Sequence, residues 1–324
     1  MKRYITRRRY GKGFRYYAEN GNVITDKDDL TYYTSLRIPP AWSDVRIAVN
    51  KRAKVLAQGV DKAGRTQAIY HPAFRAKQEQ AKFERILSFG DALPRLRKQV
   101  EADLRTHTLS RDRVLACIVK LIDQAYFRIG NEQYARENQS YGITTLRSKH
   151  TTVRGDTIVF DFMGKSGKQH HKVIADRQLA RIVKRLDELP GYEVFKYQDE
   201  AGNLHDITSA DVNEYIKRHA GEDFTAKDFR TWGGTLLATM ELIATERAAN
   251  ERERKKIVTH CVKRVAQKLG NTPAVARSSY ISPRIIESYL TSDDLLELKN
   301  TITHIKPKQY LKPEEQCTLA LLRK

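Results

Sequence analysis

Cysteine is scarce: Cys117, Cys261 and Cys317 are the three in 324 residues, odd in number and far apart. That excludes a disulfide framework and a Cys-x-x-Cys metal site, so reduced thiols within the core are expected. Long apolar runs are also missing. No stretch of about 18 or more apolar residues exists to cross a bilayer, and the start, Met1 to Tyr17, carries charge without the apolar segment of a signal peptide. No membrane association and an intracellular, cytoplasmic setting are therefore expected. There is no internal repeat, no low-complexity tract and no evident carboxylate-pair motif for two-metal nuclease chemistry. Acid is in deficit too, with 39 Asp+Glu against 59 Lys+Arg, a net charge of +20. This excess goes beyond what solubility needs and implies a polyanionic partner.

The positive charge is densest at the start, where seven Lys/Arg fall in the first fifteen residues with no acid before Glu19, and Tyr4, Tyr10, Tyr16 and Tyr17 are interleaved. A flexible arm is expected, either merely solvated or touching a nucleic acid backbone. The 40% hydrophobic and 30% charged content suits a folded chain with a real core.

Up to about residue 75 the chain reads as short strands and turns: Val23 to Thr25, Leu36 to Ile38, Val45 to Val49, Ala53 to Ala57 and Thr66 to Tyr70, with turn signals at Gly59, Asp61 and Gly64. From Gln78 to about Leu104 the pattern is helical, with expected interruptions at Gly90-Asp91 and Pro94. Beyond that, helices dominate. Ser110 precedes an apolar stripe of Val114, Leu115, Ile118, Val119, Ile122 and Tyr126, ending near Gly130, so Arg128 is expected at a helix C-terminal end. Ile158, Phe160 and Phe162 alternate with polar neighbours, and Gly164-Lys165-Ser166-Gly167 turns towards Lys172-Val173-Ile174, which places Lys165 on a hairpin. Helices follow at about 176–188, 209–220, 225–248 and 252–269. Thr225 and Asp228 form a capping box that puts Arg230 in the opening turns, Gly270 is a helix stop, and Thr272-Pro273 restarts a helix that reaches Tyr280. The fold class expected is α+β: a small β-rich N-terminal lobe, residues 1–85, and a larger, mainly helical C-terminal domain with a short β-hairpin or sheet, residues 86–324.

Five residues of the second region, Arg128, Lys165, Arg230, Asn271 and Tyr280, supply side-chain types suited to phosphodiester cleavage. That reaction needs a nucleophile, stabilisation of charge on two non-bridging oxygens and a proton for the departing oxygen. The guanidiniums of Arg128 and Arg230 can each donate two hydrogen bonds and stay charged. A lysine among arginines is a proton donor of depressed pKa, the role for Lys165, with Lys168 at the same turn its rival. Tyr280 can attack to give a phosphotyrosyl link that conserves bond energy, so neither ATP nor a metal is required. Tyr289 is the nearby alternative and is better explained as packing.

The strings around these residues are Phe127-Arg128-Ile129-Gly130-Asn131-Glu132, Phe162-Met163-Gly164-Lys165, Thr225-Ala226-Lys227-Asp228-Phe229-Arg230-Thr231-Trp232, and Leu269-Gly270-Asn271-Thr272-Pro273 with Ser279-Tyr280-Ile281. In order and residue type they resemble the type IB DNA topoisomerases in their compact bacterial and poxvirus-like form. The likeness extends to Ile38-Pro39-Pro40-Ala41-Trp42 and Gly64-Arg65-Thr66-Gln67-Ala68-Ile69-Tyr70 in the N-terminal lobe. It implies a two-lobed clamp around double-stranded DNA, monomeric and nucleoid-associated, needing no nucleotide, metal or other cofactor. By that resemblance Tyr280 forms a 3′-phosphotyrosyl intermediate, the free 5′-hydroxyl strand rotates to relax supercoils, and religation releases the enzyme. Lys227 matches a basic residue that assists proton transfer, and Arg65, Gln67, Tyr70 and Tyr134 become candidate DNA contacts. The pattern departs at Asn271, where the family usually carries histidine; an amide donates a hydrogen bond but carries no proton or charge.

Competing readings are weaker on the same residues. A phosphate loop ending at Gly164-Lys165-Ser166 lacks its first glycine, since residue 159 is Val. His170-His171 as metal ligands would point to opposite faces of a strand. A tyrosine recombinase or integrase uses related chemistry but carries histidine where Lys227 stands, and its N-terminal domain is helical. A non-catalytic DNA-binding protein explains the charge but not the five residues.

Overall fold

The computed structural model describes residues 4–221 and 223–324. The chain divides into two compact units, Met1–Lys82 and Phe83–Lys324. In the first, β1 (Tyr4–Tyr10) and β2 (Gly13–Tyr17) form an antiparallel hairpin, followed by helix α1 (Lys27–Ser35) and strands β3 (Ser43–Ala48), β4 (Val55–Val60) and β5 (Thr66–Tyr70). They make one antiparallel sheet in the order β2-β1-β3-β4-β5. Ile5, Tyr16, Tyr33, Ile38, Val45, Ile47 and Ala57 are its core.

Three expectations are corrected here. The basic start is a strand pair from Tyr4 onward, while residues 1–3 lie outside the described residues. Of its arginines, Arg8 and Arg9 are exposed and Arg7 turns inward. Arg7 is buried and donates to the carbonyls of Ile38, Pro39 and Trp42 while lying over the Phe14 ring. Those three hydrogen bonds offset part of the desolvation of the guanidinium, whose Nε is buried without a hydrogen-bond partner. Leu36 to Ile38 is not a strand, and Val23 contributes only an isolated bridge to Tyr17. Between them lies α1, whose start is set by Asp26 accepting from the Asp29 amide with Asp28 and Asp29 in the first turn.

The second helix, α2 (Pro72–Leu104), runs unbroken through Gly90 and Pro94. A proline inside a helix costs about 3 kcal/mol. Ile86, Phe89, Leu93, Leu96, Val100 and Leu104 are all buried along one face, and at roughly 1.5–3 kcal/mol each they outweigh it. Gly90 fits because a Cβ there would lie 2.6 Å from the Trp232 ring.

After α2, the second unit comprises α3 (Arg111–Ala125), α4 (Glu132–Asn138), a three-stranded antiparallel sheet of β6 (Thr151–Arg154), β7 (Thr157–Gly164) and β8 (Lys168–Ala175), then α5 (Arg177–Asp187) and a small ribbon of β9 (Lys196–Gln198) and β10 (Leu204–Asp206). Among the described residues seven helices complete it: α6 (Ser209–Ala220), α7 (Ala226–Ala244), α8 (Glu251–Leu269), α9 (Pro273–Ser279), α10 (Pro283–Thr291), α11 (Asp294–Thr301) and α12 (Pro313–Arg323). One continuous core joins α2, α3, the three-stranded sheet and α5 to α8. The fold is α+β, as its sequence pattern implies. No helix among the described residues is long and apolar enough to cross a membrane.

Candidate active site

Four of the five candidate site residues meet in the second unit, three of them at helix ends and Arg128 on the segment after α3. Helix α3 stops where Tyr126 adopts φ 53°, earlier than Gly130, so Arg128 lies in the segment beyond the helix and not at its end. Phe127, fully buried against Phe160 and Phe162, fixes that segment to β7. Arg230 enters from the start of α7, whose capping box is formed: the Thr225 amide donates to Asp228 Oδ2 at 2.9 Å, and Arg85 pairs with the other carboxylate oxygen at 2.7 Å. Gly270, at φ 64°, closes α8 and turns Asn271 inward, and Thr272 caps α9 by accepting from the Val275 amide. Tyr280 is the C-cap of α9.

Arg230 is 3% exposed. It donates to the carbonyls of Tyr126 and Leu269, its Nε is a buried donor without a protein partner, and its Cζ lies 5.0 Å from the Tyr280 ring centre. Arg128 donates through Nη2 to the Gly270 carbonyl at 3.1 Å and to Asn271 Oδ1, with Nη1 3.5 Å from His170 Nε2. Asn271 is thus fixed with its oxygen towards Arg128, and its amide nitrogen makes only a 3.4 Å contact with the Leu269 carbonyl.

These cations shape the tyrosine. Burial alone would raise the Tyr280 hydroxyl, but the charges of Arg230, Arg128 and Lys227 outweigh it and its pKa is lowered. Burial, with Arg230 as neighbour, lowers Arg128 to about 10. A pocket that depresses its own arginines while acidifying a phenol is arranged to receive negative charge.

The position of Tyr280 is set by α7. Its carbonyl accepts from Thr235 Oγ1 at 3.2 Å, and the same oxygen of Thr235 accepts from the Ser282 amide at 3.1 Å. At Gly234 a Cβ would lie 2.6 Å from the Tyr280 carbonyl oxygen, and at Gly233 it would lie 2.2 Å from the Tyr126 ring. Two adjacent glycines in a helix interior cost about 1 kcal/mol each, and here they let Tyr280 and Tyr126 approach the α7 backbone. Tyr289 is 2% exposed with its hydroxyl on the Glu246 carbonyl, a packing residue.

Lys165 stands apart. It opens the turn Lys165–Gly167 between β7 and β8, exposed, and among the described residues its ammonium makes no hydrogen bond or ion pair. The turn leads into a strand, not a helix, which removes the phosphate-loop reading. Lys168, by contrast, donates to the Asn271 carbonyl at 2.8 Å. Lys227 is exposed on the first turn of α7.

The alternation of β8 brings in groups that sequence reasoning passed over. Lys168, His170 and Lys172 share the inner face, whereas Gln169, His171 and Val173 are exposed. His171 pairs with Asp161, so the two histidines do face apart. His170 is buried and stacked on Phe162; burial, then the surrounding charges of Lys172, Arg128, Arg230 and Lys168, push it down to about 4. Lys172 donates to the Ala125 carbonyl over the Phe127 ring, and burial with Arg230 and Arg128 lowers it to about 8. The available signal was the basic alternation in Lys168-Gln169-His170-His171-Lys172 directly after the hairpin turn.

The other candidate DNA contacts lie elsewhere. In the first unit, Arg65 Nε and Gln67 Nε2 both donate to Asp61 Oδ2, at 2.8 and 2.9 Å, and Arg65 holds that carboxyl well below its usual range. Tyr70 is exposed beside Phe74. In the second unit Tyr134 is exposed on α4.

A family described as "Eukaryotic DNA topoisomerase I, catalytic core" matches residues 71–308, and one described as "Bacterial DNA topoisomerase IB, N-terminal domain" matches residues 13–61. The chain is 33% identical over 293 residues to DNA topoisomerase 1B of Acanthamoeba polyphaga mimivirus, covering 88% of this chain and 87% of that one. It is 23% identical over 319 residues to DNA topoisomerase 1B of Vaccinia virus (strain Copenhagen), covering 90% and 97%. With DNA topoisomerase 1 of Mycosarcoma maydis the identity is 26% over 204 residues, 56% of this chain and 20% of that one. A catalytic-core match over most of the chain, a bacterial N-terminal match ahead of it and a viral relative matched nearly end to end put this chain in the type IB DNA topoisomerase family.

Proposed function

We propose that this protein relaxes supercoiled duplex DNA by transient cleavage of one strand, with Tyr280 as nucleophile and Arg128, Lys165, Arg230 and Asn271 in the roles their chemistry fits. The Tyr280 oxygen attacks the scissile phosphorus as its phenolic proton passes to solvent, the bond from phosphorus to the 5′ oxygen breaks, and that oxygen takes a proton from Lys165. Arg128, Arg230 and the Asn271 amide bind the non-bridging oxygens, whose charge grows as the fifth ligand forms. The strand with the free 5′-hydroxyl rotates, then attacks the 3′-phosphotyrosyl bond and restores Tyr280. Each step exchanges one phosphoester for another, so no nucleotide or metal is called for and one chain suffices. Lys227 assists the proton transfers. Arg65, Gln67, Tyr70 and Tyr134 contact the duplex. In a bacterial cell this places the enzyme in the cytoplasm on the nucleoid.

The observation that carries the reading is the half-buried Tyr280 beneath Arg230, its pKa lowered by three neighbouring cations, with a buried unpartnered donor on Arg230. The test is incubation with negatively supercoiled plasmid in EDTA without nucleotide. Wild type relaxes the plasmid and Tyr280→Phe does not. No relaxation by wild type refutes the function, and relaxation by Tyr280→Phe refutes the nucleophile.

A further inference from the structure

The hairpin that carries Lys165 is joined to its own sheet by β7–β8 pairing up to its last rung, Gly164 opposite Lys168. That pairing fixes the shape of the hairpin but not its placement against the helices. Placement comes from the inner face of β8. Lys168 Nζ donates to the Asn271 carbonyl at 2.8 Å. The His170 ring, two residues on, fills the space between strand and helix junction: a Cβ on Gly164 would sit 2.5 Å from it, and one on Gly270 2.2 Å. The same ring has Nε2 3.5 Å from Arg128 Nη1. Two consecutive inward residues of one strand therefore engage the same peptide, Gly270-Asn271, and the arginine that grips it.

We propose that Lys168 and His170 form a latch that registers the Lys165 hairpin on the Gly270-Asn271 peptide, making both positioning residues for the cleavage reaction. The inference rests on the proposed function above. It explains why the two lysines of one turn behave differently. The ammonium of Lys168 is committed to a carbonyl, whereas that of Lys165 is uncommitted and exposed three residues away. It also gives the glycines of Phe-x-Gly-Lys and Leu-Gly-Asn a shared purpose, since each leaves room for the His170 ring. Because the Asn271 carbonyl holds Lys168 while the Asn271 side chain holds Arg128, one residue ties the proton donor's hairpin to the phosphate grip.

The test separates placement of the acid from binding of phosphate. A duplex carrying a cleavage site mapped with wild-type enzyme is prepared with oxygen or with sulfur at the 5′ bridging position, since a thiolate departs without a proton. Single-turnover cleavage is measured for wild type, Lys168→Met and Lys168→Arg. With the oxygen substrate Lys168→Met slows on the order of 10- to 100-fold, the scale of a misplacement near 1 Å, while DNA affinity holds and Lys168→Arg, which keeps a donor, recovers. With the sulfur substrate the Lys168→Met defect disappears. Equal slowing on both substrates, or none on oxygen, overturns the latch even though wild type is active. A wild type that cleaves neither substrate refutes the proposed function itself. For His170, His170→Phe keeps the stacked ring but removes the acceptor facing Arg128, and His170→Gln restores an acceptor. Slower cleavage with Phe, recovered with Gln at unchanged DNA affinity, is expected; a Phe variant equal to wild type overturns the part assigned to His170.

Discussion

Substitution of Gly234 by alanine isolates the support beneath Tyr280. The new methyl carbon would lie 2.6 Å from the Tyr280 carbonyl oxygen, 2.9 Å from its Cβ and 3.1 Å from its carbonyl carbon. None of these atoms is the end of a flexible side chain, so the α9–α10 corner must move. Two opposed effects set the stability change. Alanine improves helix propensity by about 1 kcal/mol, and overpacking of this kind costs about 1–3 kcal/mol. The net is a loss of about 0–2 kcal/mol, too little to unfold the protein. Activity should fall much further. A shift of several tenths of an ångström to 1 Å moves the phenol from its line of attack and weakens the Thr235 bond to the Tyr280 carbonyl, now 3.2 Å, so cleavage slows on the order of 10- to 100-fold. Thermal denaturation and single-turnover cleavage on the same preparation measure both quantities. A Gly234→Ala enzyme that is folded and as fast as wild type would show that α7 does not set the attacking geometry.

Two further outcomes follow from the charges. Lys172 has a folded-state pKa of about 8 against 10.5 ordinarily, so between these values the unfolded chain binds more protons and wild-type stability rises with pH. In Lys172→Met this rise flattens, as denaturant melts at pH 7, 8, 9 and 10 would reveal; an unchanged slope refutes the assignment. Asn271→Asp keeps an acceptor for Arg128 but replaces a phosphate donor with a negative charge, so cleavage drops by about 10²-fold or more with a smaller loss of DNA affinity. Equal cleavage rates for Asp and Asn would remove Asn271 from the phosphate grip.

Features governed by neighbours in sequence were legible. The Thr225-Asp228 box, the Gly270 stop and the Thr272-Pro273 start each depend on atoms within a few residues, and together they set three of the turns that bring Arg230, Asn271 and Tyr280 to one place. What escaped depends on distant partners. Arg7 reads as solvated charge until the carbonyls of Ile38, Pro39 and Trp42 are seen around it. Pro94 reads as a break until one face of α2 is buried. Lys168 and His170 meet Asn271 and Arg128 across 103 and 42 residues, a pairing that no local pattern encodes. The resemblance supplied the five candidate site residues because it matches strings, and it was silent on the β8 face that carries Lys168 and His170.

The departure from histidine at position 271 has a physical rationale in this setting. Arg128 needs an acceptor and the phosphate needs a donor, both from one side chain. Histidine meets both demands only when neutral and in one tautomer, because the imidazolium has no acceptor. In a pocket where burial and four cations already push His170 down to about 4, a second buried imidazole would be held neutral and could supply no charge of its own. An amide meets both demands at every pH: Asn271 Oδ1 accepts from Arg128, and of its two amide hydrogens the Leu269 carbonyl takes at most one, through a 3.4 Å contact. In the proposed reaction the grip on phosphate would then rest on Arg128 and Arg230 for charge and on Asn271 for direction, and the proton would fall to Lys165, which would place more weight on the proposed latch that positions its hairpin.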